Sequence, residues 1–129
     1  MADPPLVLVV DDTPMVARST ARLLELEGWR AEVAPDGRSA LERVEAAPAA
    51  FSAVLLDLVL PDLPGPEVFA GLRRLRADLP IVVTSGYGEV AEVGALRHDG
   101  AVFLAKPFAL DELLRALLQA RGPGPSPPG

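Results

Sequence analysis

The alternation of short apolar runs with longer amphipathic stretches is the feature of this sequence that most constrains its fold. Val and Leu dominate the runs, which are Leu6–Val10, Arg30–Ala34, Ser52–Leu56, Ile81–Thr84 and Ala101–Ala105. Runs of this length and composition are typical of strands that are covered on both faces of a parallel sheet. The run Arg30–Ala34 is the most polar of the set, so we expect it at an edge of the sheet.

A stretch with helical periodicity follows each apolar run. These stretches are Pro14–Glu27, Arg38–Ala47, Pro66–Arg76, Glu89–His98 and Leu110–Ala120. The first helix is predicted to start after the N-cap Thr13, with Pro14 in its first position, and to end at Gly28. Its buried face is predicted to consist of Val16, Thr20, Leu23 and Leu24. The last stretch has the clearest apolar stripe with a period near 3.6 residues.

This order of elements predicts an α/β fold. Strict alternation with short connections implies a parallel sheet with right-handed crossovers. For five strands in an open sheet we expect the order 2-1-3-4-5, with helices on both faces in a three-layer, doubly wound, flavodoxin-like (βα)5 arrangement. Residues 1–121 are predicted to form one domain. Residues 122–129, GPGPSPPG, are predicted to be a flexible Pro/Gly-rich tail or linker.

Composition removes several classes of function. The net charge of −6 disfavours direct binding to nucleic acid. The apolar runs are too short to insert into a membrane, and the first residues lack the basic and apolar regions of a signal peptide. The chain has no cysteine, which excludes a disulfide framework, a thiolate metal site and a cysteine nucleophile. This composition is compatible with the cytoplasmic location that we predict.

Polar side chains follow the predicted strands at their carboxyl ends. Asp11 and Asp12 come after the first strand, Asp57 ends the third, Thr84 ends the fourth and Lys106 follows the fifth. In open α/β sheets, ligands bind at this edge, near the point where the strand order reverses. We therefore expect these residues to lie close together.

The chemistry of this group favours phosphoryl transfer. Acidic side chains at close range repel one another, so their ionised state needs a cation, and hard oxygen ligands suit Mg²⁺. A lysine and a hydroxyl can neutralise and hydrogen-bond a phosphoryl oxygen. A carboxylate can also act as a nucleophile. The pattern predicts that Asp57 attacks phosphorus while Mg²⁺, Lys106 and Thr84 stabilise the charge on the oxygens.

Each of these residues also has a purely structural interpretation. The Asp11-Asp12 pair is compatible with turn and helix-cap chemistry, Thr84 with a β-forming residue, and Lys106 with a solvated loop. Asp57 is harder to explain in that way, because a lone charge within an apolar run is costly to bury without a partner. The coincidence of polar residues at several strand ends favours a functional site.

From Leu6 to Arg121 the chain resembles the receiver domains of response regulators. The resemblance is carried by VLVVDDTPMV, APDGRSALE, AVLLDLVLPDLPG, IVVTSGYGE and AVFLAKPF. The segments TSGYGE and FLAKPF are most similar to those of receivers of hybrid histidine kinases or of single-domain response regulators. The resemblance implies a two-component signalling protein that accepts a phosphoryl group from a phosphohistidine and then controls a partner.

The resemblance also implies a role for each site residue. Asp57 matches the phosphoacceptor, and Lys106 matches the lysine that pairs with the phosphate. Asp12 and Asp57 match direct ligands of Mg²⁺, together with the backbone carbonyl of Val59. Asp11 is similar to the more distant acid, which often acts through water.

Two further residues match the family's conformational switch. Thr84 matches the switch hydroxyl, and Phe103 matches the aromatic residue that reorients on activation. Phe103 departs from the frequent tyrosine and has no phenol hydroxyl, while Ser85 replaces a common alanine and Leu60 a common methionine. The implied phosphodonor is a histidine kinase or a histidine phosphotransfer domain, and the downstream partner is not named by the sequence.

Two alternatives are weighed against a receiver. A haloacid-dehalogenase-like phosphatase also uses an Asp nucleophile with Mg²⁺, but its DxDxT motif needs a second Asp where this chain has Thr13, and the chain is too short for a cap domain. A pseudo-receiver keeps the fold without phosphorylation, but such domains usually lose an acid or the lysine. We therefore expect a protein that catalyses only its own phosphorylation and dephosphorylation, not an enzyme acting on other substrates.

Overall fold

The computed structural model describes residues 4–85 and 100–121. In these ranges the elements follow in the order β1 (Leu6–Val10), α1 (Pro14–Leu26), β2 (Arg30–Ala34), α2 (Gly37–Ala46), β3 (Ala53–Asp57), α3 (Gly65–Leu75), β4 (Ile81–Ser85), β5 (Val102–Ala105) and α4 (Leu110–Arg121). Their bounds lie within one residue of the predicted ones. The predicted helix Glu89–His98 and the predicted tail lie outside the described residues.

The sheet has the predicted architecture. It is parallel throughout, with the strand order β2-β1-β3-β4-β5. The polar strand β2 forms an edge, as its composition indicates. No helix in the described ranges is long and apolar enough to cross a membrane.

Side chains of the central strands alternate between two cores, as strand geometry requires. On one face, Leu8 and Val10 of β1 pack in a core with side chains of α2 and α3, including Val44 and Phe69. On the other face, Val7 and Val9 pack in a core with side chains of α1 and α4, including Leu24 and Leu117. Helices therefore cover both faces, which confirms the predicted three-layer arrangement.

Strand register brings the polar residues to one edge of the sheet. Asp57 of β3 is directly paired with Thr84 of β4. Main-chain hydrogen bonds continue the ladder past the strand ends: the Asp11 N–H donates to the Ala34 carbonyl (N···O 3.1 Å), and the Lys106 N–H donates to the Ser85 carbonyl (N···O 3.0 Å). The backbone next to each functional side chain is thus fixed by its neighbouring strand.

The start of α1 differs from the prediction in one detail. Thr13 occupies the N-cap position and Pro14 follows it, but the Thr13 side chain makes no capping hydrogen bond. Instead, the Thr13 N–H donates to Asp11 Oδ1 (N···O 2.9 Å), so the acidic pair itself shapes this turn. At the other end, Gly28 has a φ of +89°. This is the left-handed conformation that glycine readily adopts just after a helix, as predicted for the end of α1.

The predicted buried face of α1 was half wrong. The buried residues of this helix are Ala17, Thr20, Ala21 and Leu24. Val16 and Leu23, which were predicted to be buried, remain 40% and 37% exposed. The apolar stripe of α1 is wider than its contact with the sheet. The small residues Ala17 and Ala21 lie on the side of the helix that is buried against the sheet.

Candidate functional site

The structure brings the predicted acidic residues together at the carboxyl edge of the sheet. Asp11, Asp12 and Asp57 each offer a carboxylate oxygen, and these oxygens lie within 4.8 Å of one another. Asp11 and Asp57 are buried, whereas Asp12 is exposed. An exclusively oxygen donor set with one side open to solvent fits Mg²⁺, which usually retains several water ligands.

Lys106 reaches into this acidic group. Its Nζ lies 2.9 Å from Asp57 Oδ2 and 3.2 Å from Asp11 Oδ2. Burial by itself would lower the pKa of Lys106, but hydrogen bonding and Coulombic attraction from Asp57, followed by those from Asp11, outweigh it and raise this pKa above 10.5. Lys106 therefore holds a positive charge between the two buried carboxylates at neutral pH.

The remaining oxygens of the buried pair accept main-chain hydrogen bonds. The Val59 N–H donates to Asp57 Oδ1 (N···O 3.0 Å), and the Thr13 N–H donates to Asp11 Oδ1 (N···O 2.9 Å). Both carboxylates are consequently held at both of their oxygens, which fixes their orientation. Charge-assisted hydrogen bonds of this kind are stronger than those between neutral groups.

Thr84 and Phe103 lie on adjacent strands but in different surroundings. Thr84 is buried and neighbours Asp57 in the sheet, so it belongs to the site. Phe103 pairs with Val83, one residue back from the edge, and packs partly buried against the core under α2 and α3. In the sheet register, Thr84 is paired with Leu104, the residue that follows Phe103.

A groove opens beside the acidic site. It has a volume of about 650 Å³ and is lined by Met15, Val16, Ser19, Thr20, Leu23, Lys106, Pro107 and Phe108. Met15, in the wall of this groove, is 79% exposed. Lys106 lines this groove and also contacts Asp57, so the groove leads directly to the acidic site.

Two further acids, which the sequence analysis did not single out, bind the N-terminus of α2. Asp36 accepts a hydrogen bond from the Ser39 N–H (N···O 2.7 Å), the usual N-cap contact. Asp62 accepts hydrogen bonds from the N–H groups of Gly37 and Arg38. An Asp just before a helix start is a recognisable cap signal, so Asp36 could have been found. Asp62 comes from another part of the chain, and no pattern in the sequence around it predicts its contact with α2.

Comparison with known proteins supports one family. The family model described as "Response regulator receiver domain" matches residues 7–118. The transcriptional regulatory protein TcrA of Mycobacterium tuberculosis is 39% identical over 125 residues, which cover 95% of this chain and 49% of TcrA. The response regulator MprA of Mycolicibacterium vanbaalenii is 43% identical over 121 residues, which cover 91% of this chain and 52% of MprA. The chain thus spans about half the length of these relatives, and neither is named as a hybrid kinase.

Solved structures agree with this comparison. A CheY-like response regulator receiver domain protein from Methanospirillum hungatei superposes with a TM-score of 0.84 at 27% identity, over 92% of this chain and 94% of that one. A response regulator receiver domain protein from Clostridium thermocellum superposes with a TM-score of 0.87, over 91% of this chain and 94% of that one. Because its identity is 21%, the latter likeness concerns the fold alone.

Proposed function

Since the chain belongs to the response regulator receiver domain family, we propose that it accepts a phosphoryl group on Asp57. Receivers are domains of two-component signalling systems, and the family is not one of enzymes with external substrates. The observation that carries the assignment is the burial of Asp57 among two other carboxylates with Lys106 bound to it. We further propose that the protein's catalysis is limited to its own phosphorylation and dephosphorylation.

The proposed reaction transfers the phosphoryl group in a single displacement. A carboxylate oxygen of Asp57 forms a bond to phosphorus as the bond between phosphorus and the donor's imidazole nitrogen breaks. The electron pair of that bond stays with the nitrogen, which takes up a proton from solvent. Lys106, whose Nζ already lies 2.9 Å from Asp57 Oδ2, supplies a fixed positive charge. This charge stabilises the negative charge on the oxygens of the transferred phosphoryl group. The Thr84 hydroxyl is proposed to hydrogen-bond one of them.

The acidic residues fit a site for Mg²⁺. Asp12, Asp57 and the backbone carbonyl of Val59 would hold the ion, with Asp11 acting through water. Asp12 is exposed, so its carboxylate is accessible to a hydrated ion, which supports it as a direct ligand. The assignment of Asp11 to a contact through water rests on the resemblance to the family. When bound, Mg²⁺ neutralises charge on the phosphoryl oxygens.

The groove beside Lys106 supports a protein as phosphodonor. A donor histidine must reach Asp57 from the open side of the site, and the groove borders that side with exposed apolar side chains such as Met15 and Leu23. An amphipathic helix that carries the phosphohistidine could bury its apolar face there. We therefore propose a histidine kinase or a histidine phosphotransfer domain as the partner, in the cytoplasm where we place this protein.

The proposal is tested by intact-mass measurement after incubation with acetyl phosphate. We expect addition of a single phosphoryl group in the presence of Mg²⁺, and none when the metal is removed by chelation. Failure to gain mass in the presence of Mg²⁺ would contradict the proposal and favour a pseudo-receiver. Sustained turnover of a generic phosphomonoester, without accumulation of a phosphorylated protein, would instead favour a phosphatase.

A further inference from the structure

Asp62 fastens the segment between β3 and α3 to a different helix. Its Oδ1 accepts the Gly37 N–H and its Oδ2 accepts the Arg38 N–H, each with an N···O distance of 2.9 Å. These N–H groups belong to the first turn of α2, where intrahelical partners are lacking and a negative charge is stabilised by the helix dipole. Desolvation alone would raise the pKa of the exposed Asp62 carboxyl, but the backbone hydrogen bonds from Arg38 and Gly37 outweigh it and lower this pKa.

The surroundings of the contact between Asp62 and Gly37 are closely packed. A Cβ atom at Gly37 would lie 2.5 Å from Val68 Cγ2 of α3 and 3.4 Å from Asp62 Oδ1. The glycine therefore lets α2 approach both α3 and the Asp62 carboxylate. The contact joins residues 25 positions apart in sequence, so it constrains tertiary structure.

The start of this segment, Leu58, lies against Gly65 at the start of α3. A Cβ atom at Gly65 would lie 2.5 Å from the Leu58 carbonyl oxygen and 2.7 Å from Leu58 Cα. Between these ends, Leu60 and Leu63 are partly buried, while Val59 and Asp62 are exposed. At its base, Leu58 is buried in the core and its N–H donates to the Thr84 carbonyl (N···O 3.1 Å). Farther out, the bonds from Asp62 to α2 add a polar restraint on segment 58–64.

Segment 58–64 also reaches the reacting carboxylate. The Val59 N–H donates to Asp57 Oδ1, and the Val59 side chain is 59% exposed. The peptide that carries this N–H is held on one side by the buried Leu58, whereas on the other side the exposed Val59 side chain adds little packing. A displacement of the outer segment that reaches Val59 therefore alters a hydrogen bond to Asp57.

We propose that Asp62 is a positioning residue for phosphoryl transfer, because it fastens segment 58–64 to the N-terminus of α2 and so keeps the Val59 N–H on Asp57. This inference rests on the proposed function of Asp57. Asp62 touches none of the reacting groups and acts only through the segment.

Asp36 provides a matched control. It also accepts a hydrogen bond from an N–H group in the first turn of α2, that of Ser39, but it is the residue directly before the helix and not part of segment 58–64. Loss of either acid removes a helix cap, which typically costs about 0.5–2 kcal/mol of stability. Only loss of Asp62 releases the segment.

The experiment compares Asp62→Ala, Asp62→Asn and Asp36→Ala with the wild type at saturating Mg²⁺. The readouts are the labelling rate with acetyl phosphate, the amide resonance of Val59 and the midpoint of urea unfolding. We expect Asp62→Ala to label at least several-fold more slowly and to shift the Val59 resonance. Asp62→Asn, which keeps one acceptor oxygen, should be intermediate. Asp36→Ala should lower the unfolding midpoint but keep the wild-type rate and resonance.

Two outcomes would overturn the inference while leaving the proposed function intact. The first is a wild-type labelling rate in Asp62→Ala. The second is an equal loss of rate in Asp62→Ala and Asp36→Ala, which would show an effect of helix stability. If Asp62→Ala does not fold, Asp62→Asn against Asp36→Ala decides in the same way. Absence of labelling in the wild type would instead overturn the proposed function, and with it this inference.

Discussion

At the scale of single residues, the acidic group depends on Lys106. Asp11 and Asp57 are buried carboxylates, and such groups are strongly destabilising unless they are paired and hydrogen-bonded. Each of them has one oxygen on Lys106 and the other on a backbone N–H. This complete set of partners explains how an apolar strand can end in a buried Asp57.

Replacement of Lys106 by Met should destabilise the metal-free protein. The change leaves two buried carboxylates without their cation, and we expect a loss of about 1–3 kcal/mol at pH 7. The folded protein raises the pKa of Lys106 above 10.5, so its contribution is fully present below that pH and is lost as the pH rises through the folded pKa. Urea unfolding of both proteins between pH 7 and about pH 11 measures this difference. A difference that does not shrink at the alkaline end would contradict the account.

Removal of Asp12 should weaken Mg²⁺ binding more than removal of Asp11. Asp12 is exposed and available as a direct ligand, whereas Asp11 matches the family's more distant acid, which often acts through water. Loss of a direct carboxylate ligand should lower the affinity by at least tenfold, which is about 1.4 kcal/mol. Calorimetric titration of Asp12→Ala and Asp11→Ala with Mg²⁺ provides the comparison. Equal losses would show that the two acids have been ranked wrongly.

At the scale of elements, strand pairing couples the site to the neighbouring strands. Thr84 sits beside Asp57 on β4, and Phe103 sits on β5 opposite Val83. A phosphoryl group that draws the Thr84 hydroxyl toward itself would open space in which Phe103 can turn inward. We propose that the phosphoryl group in this way biases an existing equilibrium between two arrangements and needs no new fold.

Beryllofluoride, which stands in for the phosphoryl group, should therefore move resonances well beyond the acidic residues. We expect NMR shifts from Val83 to Gly100 and from Ala101 to Leu113, of which residues 86–99 lie outside the described structure. A Thr84→Ala variant should bind beryllofluoride but shift the Phe103 resonances less. Shifts confined to Asp11, Asp12 and Asp57 would contradict the proposed switch.

The elements also show what a sequence can and cannot predict. Strand and helix bounds followed from apolar runs and from punctuating residues such as Pro14 and Gly28, because these signals are local. The packed side of α1 did not, because periodicity identifies an apolar stripe but not which part of it meets the sheet. The bond from Asp62 to α2 is set by tertiary packing, and nothing near Asp62 in the sequence encodes it.

At the scale of the whole molecule, the site was predictable because the strand topology brings its residues together. Parallel strands place their carboxyl ends on one edge, so residues from β1, β3, β4 and β5 converge without being close in sequence. The hydrogen-bond partners within the site were beyond prediction. They depend on side-chain geometry, such as the reach of Lys106 to both Asp11 and Asp57.

We propose that residues 1–121 act as the receiver domain and that residues 122–129 are dispensable for it. The latter segment contains only Gly, Pro and Ser, so it offers no large apolar side chain to dock on the domain. A chain shortened by these residues should keep the thermal midpoint and the labelling rate of the full chain. A drop of several degrees in the midpoint would show that the segment packs on the domain.

Label transfer from acetyl phosphate in the presence of Mg²⁺ measures whether Asp57 carries the phosphoryl group, as we propose. The matched control is Asp78→Asn, because Asp78 is an exposed acid paired with Arg76 (N···O 3.0 Å) before the start of β4, away from the site. We expect the wild type and Asp78→Asn to be labelled equally and Asp57→Asn not to be labelled. Undiminished labelling of Asp57→Asn would contradict the proposal.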